Sequence, residues 1–253
     1  MNALIVIPAR YDSERFPGKP LEMIDGVSLI ERVYEKCLQT HAEDVIVATD
    51  DQRIFDHVQG FDGNVCMTST SHQNGTERII EAVERLMDAG EEYECVINVQ
   101  GDEPLINPKD INRLIAVFEE DDTDIATLVK RIDDPKSLTN PNVVKAVLTE
   151  FEEGVADALY FSRTSIPYVR DTGNVDLTET PFYKHVGTYG FSVEVLLSLA
   201  TVQESALEKA EKLEQLRWLQ NHYVVSAIET KNDSIGVDTP EDIKTVENIL
   251  KSK

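Results

Sequence analysis

Two spacings of apolar residues alternate along the first part of the chain. Residues 3–7, 44–48, 64–67 and 94–99 are short, nearly continuous apolar runs, the pattern of strands covered on both faces. Between them, residues 28–39, 52–58 and 76–87 place apolar side chains three and four apart, which predicts amphipathic helices. This β-loop-α-β-α-β order predicts an α/β fold with a mostly parallel central sheet covered by helices. The last of these helices has a legible start, because Asn74 as N-cap with Glu77 three residues on forms a capping-box pattern.

Further on, residues 108–119 read as a helix opened by Pro108, and 124–130 and 143–148 as strands. Strand-like runs at 158–162 and 185–191 flank a polar stretch at 166–180, so about 157–191 is expected to form a hairpin-like excursion off the main sheet, of the kind used for dimer contacts or lids. Residues 207–219 predict one long amphipathic helix, 224–228 a strand and 239–250 a closing helix. Without internal repeats or a Ser/Gly linker, residues 1–253 are expected to form one domain.

Composition narrows the class. With 253 residues, 41% hydrophobic and 28% charged, the chain is long enough for a full core, and no apolar run reaches the eighteen or so residues that cross a membrane. Met1-Asn2-Ala3 leads into the first strand without a basic leader, and a cytoplasmic protein is expected. Cys37, Cys66 and Cys95 are far apart and odd in number, which predicts buried reduced thiols. A net charge of −23 argues against nucleic acid or an anionic membrane as partner. An anionic substrate would therefore need local cations, from the chain or from a bound divalent metal.

One segment supplies such cations. The loop after the first strand, Ile7 to Pro20, carries Arg10, Arg15 and Lys19, with Gly18 and three prolines shaping its path, and a phosphate group suits it; a solvated turn would use the same residue types. Asp102 follows the 94–99 strand across Gln100 and Gly101, at the carboxyl edge where open α/β sheets bind ligands. It is placed to hold magnesium, which takes one or two protein carboxylates and completes its shell with water and substrate phosphates. A turn or a cap for the next helix would also explain it. Asp238 precedes a helix start, Thr239-Pro240-Glu241-Asp242, that does not need it, and offers a second carboxylate.

Strand alternation puts His185, Gly187 and Tyr189 on one face, two hydrogen-bonding tips beside a gap. Glu214 and Gln215 point away from the Leu213, Leu216, Leu219 stripe of the expected long helix, which by pattern alone is solvated surface. His41, His57, His72 and His222 show no ligand spacing and are assigned no role. There is no nucleophile elbow, P-loop or GxGxxG, which disfavours covalent catalysis and dinucleotide binding.

Taken together, ten ordered segments carry a resemblance: Ile7-Pro8-Ala9-Arg10, Phe16-Pro17-Gly18-Lys19-Pro20-Leu21, Val47-Ala48-Thr49-Asp50, Gly75-Thr76-Glu77-Arg78, Asn98-Val99-Gln100-Gly101-Asp102-Glu103-Pro104, Asn140-Pro141-Asn142-Val143-Val144-Lys145, Ala158-Leu159-Tyr160-Phe161-Ser162-Arg163, His185-Val186-Gly187-Thr188-Tyr189-Gly190, Leu213-Glu214-Gln215-Leu216-Arg217 and Gly236-Val237-Asp238-Thr239-Pro240-Glu241-Asp242. The chain resembles the cytidylyltransferases that make CMP-activated 3-deoxy-manno-octulosonate, the Kdo of lipopolysaccharide. The resemblance implies a Rossmann-like, GT-A-type nucleotidyltransferase, a homodimer that joins CTP to a 2-keto-3-deoxy sugar acid and releases pyrophosphate.

By position, the resemblance implies that Arg10 and Lys19 neutralise the triphosphate, that Ala9, Gly75, Thr76 and Gln100 help hold the nucleotide, and that Asp102 and Asp238 bind Mg2+. It implies Gln100, Arg163, His185, Tyr189, Glu214 and Gln215 around the sugar, with Arg163 facing its carboxylate. The implied reaction is in-line attack of the anomeric hydroxyl on the α-phosphorus, assisted by one or two metal ions and needing no protein base.

This chain departs from the family pattern at Ser13-Glu14-Arg15-Phe16, at Asn74 and at residues 204–209, and the sugar is accordingly left between Kdo and its 8-amino-8-deoxy form. A CMP-sialic acid or other sugar nucleotidyltransferase on the same fold, or a non-catalytic nucleotide-binding module, are the competing readings.

Overall fold

The computed structural model describes residues 1–13, 15–120, 123–170, 176–233 and 235–251. Glu14 of the first loop and residues 171–175 of the expected polar excursion lie outside the described residues. The chain divides into two compact units, Met1–Glu119 together with Ser234–Lys253, and Glu120–Asp233.

The first unit follows the sequence pattern closely. Strand β1 (Ala3–Ala9) leads through a loop and a one-turn 3-10 helix (Lys19–Leu21) into the short hairpin β2 (Met23–Ile24) and β3 (Val27–Ser28), then α1 (Leu29–Cys37). There follow β4 (Asp44–Thr49), α2 (Gln52–Gly60), β5 (Val65–Met67), α3 (Gly75–Asp88), β6 (Cys95–Asn98) and α4 (Pro108–Glu120). Within this unit the strands run in the order β5-β4-β1-β6, all parallel.

Leu4, Ile5, Val6 and Ile7 of β1 are fully buried, each such side chain contributing about 1.5–3 kcal/mol. Helix starts are set by side chains that accept from otherwise unpaired amides: Ser28 from Glu31 N, Asp51 from Arg53 N and Asn74 from Glu77 N. The register aligns Ala9 with Thr49, Thr49 with Met67 and Val6 with Asn98, so the carboxyl ends of all four strands open on the same edge. Cys37 and Cys95 are buried in this core, where burial pushes the Cys95 thiol up to about 12, and Cys66 is half-buried.

The second unit comprises β7 (Ile125–Arg131), α5 (Pro135–Thr139), β8 (Lys145–Leu148), β9 (Val155–Ser162), β10 (Tyr183–Ser192), α6 (Val193–Leu199), α7 (Ala206–Glu211), α8 (Gln215–Gln220) and β11 (Val225–Glu229). Helix α9 (Pro240–Lys251) then returns to the first unit, where Val246 packs with Ile24, Leu29 and Val237. Strand order in the second unit is β10-β7-β11-β9-β8, and β8 also pairs with β10, which closes the strands on themselves. Apart from the parallel pair β7–β11, these pairings are antiparallel.

Three expectations change here. The mostly parallel sheet describes the first unit alone. Strands β9 and β10, expected as a hairpin off the sheet, are members of the second unit's own sheet.

The long helix expected at 207–219 is broken, because Lys212 takes the left-handed conformation at φ 53° and ends α7. Tertiary contacts hold the break. Arg163 donates from Nε to Glu211 O at 2.7 Å and from Nη2 to Lys212 O at 3.3 Å, and Arg217 of α8 pairs across the break with the buried Glu208 of α7, Nε to Oε2 at 2.7 Å. Arg163 thereby satisfies carbonyls at the end of α7 that a continuous helix would have bonded internally.

Lys145 is fully buried, and its ammonium donates to the carbonyls of Asn140 at 3.0 Å, Val143 at 2.7 Å and Arg163 at 2.5 Å. Lys145→Met keeps the length of the side chain but strands those acceptors. We expect a loss of about 3 kcal/mol in urea unfolding, and an unchanged midpoint would show that the carbonyls do not depend on the ammonium.

Candidate active site

At the carboxyl edge of the first unit's strands, three separate segments converge. The loop after β1 is pinched at its neck, where Tyr11 O accepts from Ser13 N at 3.0 Å and from Gly18 N at 2.9 Å. The following 3-10 turn begins with Lys19, whose ammonium lies 2.6 Å from Asp102 Oδ2 and 3.6 Å from Asp238 Oδ1. Arg15 adds a second cation, its Nη2 lying 3.0 Å from Asp238 Oδ1.

The placement of the two carboxylates has local causes. Gly101 brings the loop after β6 so close to β1 that a Cβ would lie 3.0 Å from Pro8 O. Asp102 O then accepts from Val237 N at 2.8 Å, tying the segment before α9 to this loop and setting Asp238 beside Asp102. Asp242 caps the helix, its Oδ2 accepting from Asp238 N at 3.0 Å, Thr239 N at 2.8 Å and Thr239 Oγ1 at 2.9 Å. Burial opposes the Asp242 charge, but these hydrogen bonds outweigh it and hold the carboxyl below its usual range. With the capping done by Asp242, the Asp238 carboxylate turns to Lys19 and Arg15.

The opposite wall is the start of α3. Asn74 Oδ1 accepts from Glu77 N at 2.9 Å, and Glu77 Oε2 accepts from Gln73 N at 2.8 Å, so the expected capping pattern is present with its return bond one residue earlier. Arg78 is buried and clamps the ends of two strands, donating from Nη2 to Asp50 Oδ2 at 2.6 Å and from Nη1 to Thr68 Oγ1 at 2.5 Å. His72, for which the sequence suggested no role, lines the cleft and pairs with Glu81. Burial works against the Glu81 charge, yet bonds from Ser69 N, His72 and Arg85 bring its carboxyl down to about 2.

The cleft between these walls has a volume of about 260 Å³. Of the residues expected to act here, Ala9, Arg10, Lys19, Gly75, Gln100, Asp102 and Asp238 line it, and Thr76 is buried just behind Gly75. Ser13, Arg15, Gln73, Asn74 and Arg78 also line it. Arg78 lay in the quoted Gly-Thr-Glu-Arg segment, which was the signal for it. Gln73 and Asn74 were readable as the residues leading into a capped helix, whose exposed amides favour anions. Among the described residues no cluster of three or more His, Cys, Asp or Glu is arranged to hold a metal. Asp102 and Asp238 already share one ammonium, which suits a divalent cation completed by substrate phosphates.

The other expected residues lie in the second unit. His185 and Tyr189 do share a face, with ring centroids 5.0 Å apart and a register shift of β10 between Val186 and Tyr189. Thr127 Oγ1 donates to Thr188 O at 2.8 Å and lies 2.9 Å from His185 Nε2, so His185 donates from Nε2 to the Thr127 hydroxyl oxygen. Burial pushes the imidazole down to about 4. Tyr189 stacks edge-on with Trp218 at 4.9 Å, and its phenol is pushed up by burial and then by the charge of Glu214. Among the described residues the Tyr189 hydroxyl and Trp218 Nε1 find no hydrogen-bond partner.

Two residues sit differently from expectation. Gln215 is buried rather than solvated, because the break at Lys212 turns α8 away from the face that a continuous helix would have presented. Arg163, expected to meet a substrate carboxylate, donates instead to the backbone carbonyls of Glu211, Lys212 and Pro141, the last at 3.1 Å.

Comparison with known proteins identifies the family. The family model described as cytidylyltransferase matches residues 4–232. The chain belongs to the cytidylyltransferase family. It is 46% identical over 249 residues to a 3-deoxy-manno-octulosonate cytidylyltransferase of Parabacteroides distasonis, with 96% of each chain covered. It is 44% identical to the protein of the same name from Bacteroides thetaiotaomicron, with 100% of both covered. Among solved structures, a CMP:2-keto-3-deoxy-manno-octonic acid synthetase complexed with CTP matches with a TM-score of 0.90 at 38% identity, covering 100% of this chain and 99% of the other. A UDP-glucose pyrophosphorylase, 12% identical with a TM-score of 0.70, shares the fold. The α/β nucleotidyltransferase fold expected from the sequence is therefore the fold of this cytidylyltransferase.

The depressed His185 pKa has a consequence for stability. Above pH 6.5 neither state is protonated; below it the unfolded chain takes up a proton that the folded chain refuses until about pH 4, so stability falls with pH across this window. Urea unfolding of the wild type is expected to weaken from pH 6.5 to 4 with a slope approaching one proton more than that of His185→Gln. Parallel pH profiles would show that the imidazole titrates freely.

Proposed function

We infer that the protein joins CTP to 3-deoxy-manno-octulosonate, giving CMP-Kdo and pyrophosphate for lipopolysaccharide biosynthesis. What carries this reading is the convergence of Lys19, Asp102 and Asp238 at the strand edge of a chain from this family. The triphosphate is assigned to the first-unit cleft. There Arg10, Arg15 and Lys19 face its charge, while the capped start of α3 at Gly75 offers backbone amides.

Asp102 and Asp238 are the residues to hold Mg2+, which when bound neutralises phosphate charge and favours ionisation of the attacking hydroxyl. The anomeric hydroxyl of the sugar attacks the α-phosphorus; the new C–O–P bond forms as the bond to the β-phosphate oxygen breaks, and the hydroxyl proton passes to water. Asp102 would hold the metal, and Lys19, which stands beside it, would face the phosphates. The protein thus orients the reactants and offsets the negative charge that grows on the leaving pyrophosphate.

For the sugar acid we assign, in the second unit, His185, Tyr189, Glu214 and Gln215. The unpaired Tyr189 hydroxyl offers a hydrogen bond suited to a sugar hydroxyl. Arg163 enters this assignment as the brace of the α7–α8 break that seats Glu214 and Gln215.

Pyrophosphate release with CTP and Mg2+ is expected with Kdo, and its 8-amino-8-deoxy analogue and sialic acid serve as comparison substrates. Release with none of them would leave a nucleotide-binding module. Asp102→Asn is expected to lower turnover by at least about a hundredfold and to weaken Mn2+ binding measured by spin resonance, in a protein that stays folded. Lys19→Ala is expected to raise the KM for CTP by on the order of a hundredfold with little change in thermal stability. Retained turnover in Asp102→Asn, or an unchanged KM in Lys19→Ala, would remove the corresponding assignment. We further propose a homodimer acting in the cytoplasm; elution at the monomer mass of 28.4 kDa in light scattering would overturn the dimer.

A further inference from the structure

The basic groups of the first loop repel one another, yet the loop holds a defined shape, and the contact responsible lies outside the cleft. Arg53, near the start of α2, lays its guanidinium over the ring of Tyr11, with Cζ 3.2 Å from the ring centroid. Asp51 fixes that guanidinium, accepting from Nε at 2.9 Å and from Nη2 at 2.6 Å, and Asp51 is itself the N-cap of α2, accepting from Arg53 N at 2.9 Å.

On the loop side, Gly18 comes so close that a Cβ would lie 3.1 Å from the Tyr11 Cζ and hydroxyl, and its backbone is left-handed at φ 76°. Gly18 N also donates to Tyr11 O, and the next residue is Lys19. A continuous line of contacts therefore runs from the rigid start of α2 through Arg53 and Tyr11 to the turn that carries Lys19.

We propose that Tyr11 is a positioning residue for the triphosphate: clamped by Arg53, its ring sets where the Gly18-Lys19 turn stands and so where the Lys19 ammonium meets the phosphates. Tyr11 does not line the cleft, so it acts through the backbone of Gly18 and Lys19. The inference rests on the assignment of CTP to this cleft.

The test is steady-state kinetics together with calorimetric titration of CTP in the full chain. In Tyr11→Ala the KM and the Kd for CTP are expected to rise about tenfold while the KM for the sugar acid is unchanged; Tyr11→Phe, which keeps the ring, stays within about twofold. Arg53 is 57% exposed, so Arg53→Ala is a safe second variant for folding. It is expected to weaken CTP binding about threefold with an unchanged urea midpoint, and the double variant should be no worse than Tyr11→Ala.

Unchanged CTP affinity in Tyr11→Ala and Arg53→Ala, beside weakened affinity in Lys19→Ala, would overturn the positioning role. So would additive losses in the double variant. Unchanged affinity in Lys19→Ala as well would instead overturn the assignment of CTP to the cleft, and the positioning role with it.

Discussion

One ammonium between two carboxylates organises the first unit's working edge. Lys19, Asp102 and Asp238 are far apart in the chain, and each reaches the meeting point by a different route: the pinched loop after β1, the glycine-bearing loop after β6, and the segment before α9 that Val237 ties to Asp102 O. Opposite charges satisfy each other there, and under the proposed function a divalent cation with a polyphosphate would offer the same charges in the other pairing, with the carboxylates meeting metal and the ammonium meeting phosphate.

This local charge arrangement reconciles an acidic protein with an anionic substrate. A net charge of −23 would repel a triphosphate at long range, but screening at physiological salt reduces that field beyond about 8 Å, while contacts inside a cleft are screened far less. Arg10, Arg15, Lys19 and Arg78 all border one cleft. Under the proposed assignment, a triphosphate in this cleft would respond to the few cations it touches and not to the total.

The second unit uses its polar groups differently. His185 is held neutral, Tyr189 is held un-ionised, Lys145 is consumed by carbonyls and Arg163 by a helix break. Burial makes ionisation costly, so these groups act as hydrogen-bonding tips or as braces.

The short β2–β3 hairpin was not legible in the sequence, but the main strands and helices of the first unit were, because their signals are local: continuous apolar runs for buried strands, three-and-four spacing for helices, and Ser, Asp or Asn at the caps. So were the residues that follow each strand, since a parallel sheet delivers its carboxyl ends to one edge. The second unit was read less well. A period of two marks a strand but not its partners, so β9 and β10 were legible as strands while their place in a closed antiparallel sheet was not.

The break at Lys212 had no local signal, since a lysine there is compatible with a continuous helix. Arg163, distant in sequence, bonds the carbonyls that the helix gives up, and Arg217 pairs with Glu208 across the break. Motif order thus determined the family and the charged residues that line the strand-edge cleft. The closing of the second sheet, the broken helix and the stacking of Arg53 on Tyr11 were decided by contacts between segments far apart in the chain, whose free energies are not written in any one window of sequence.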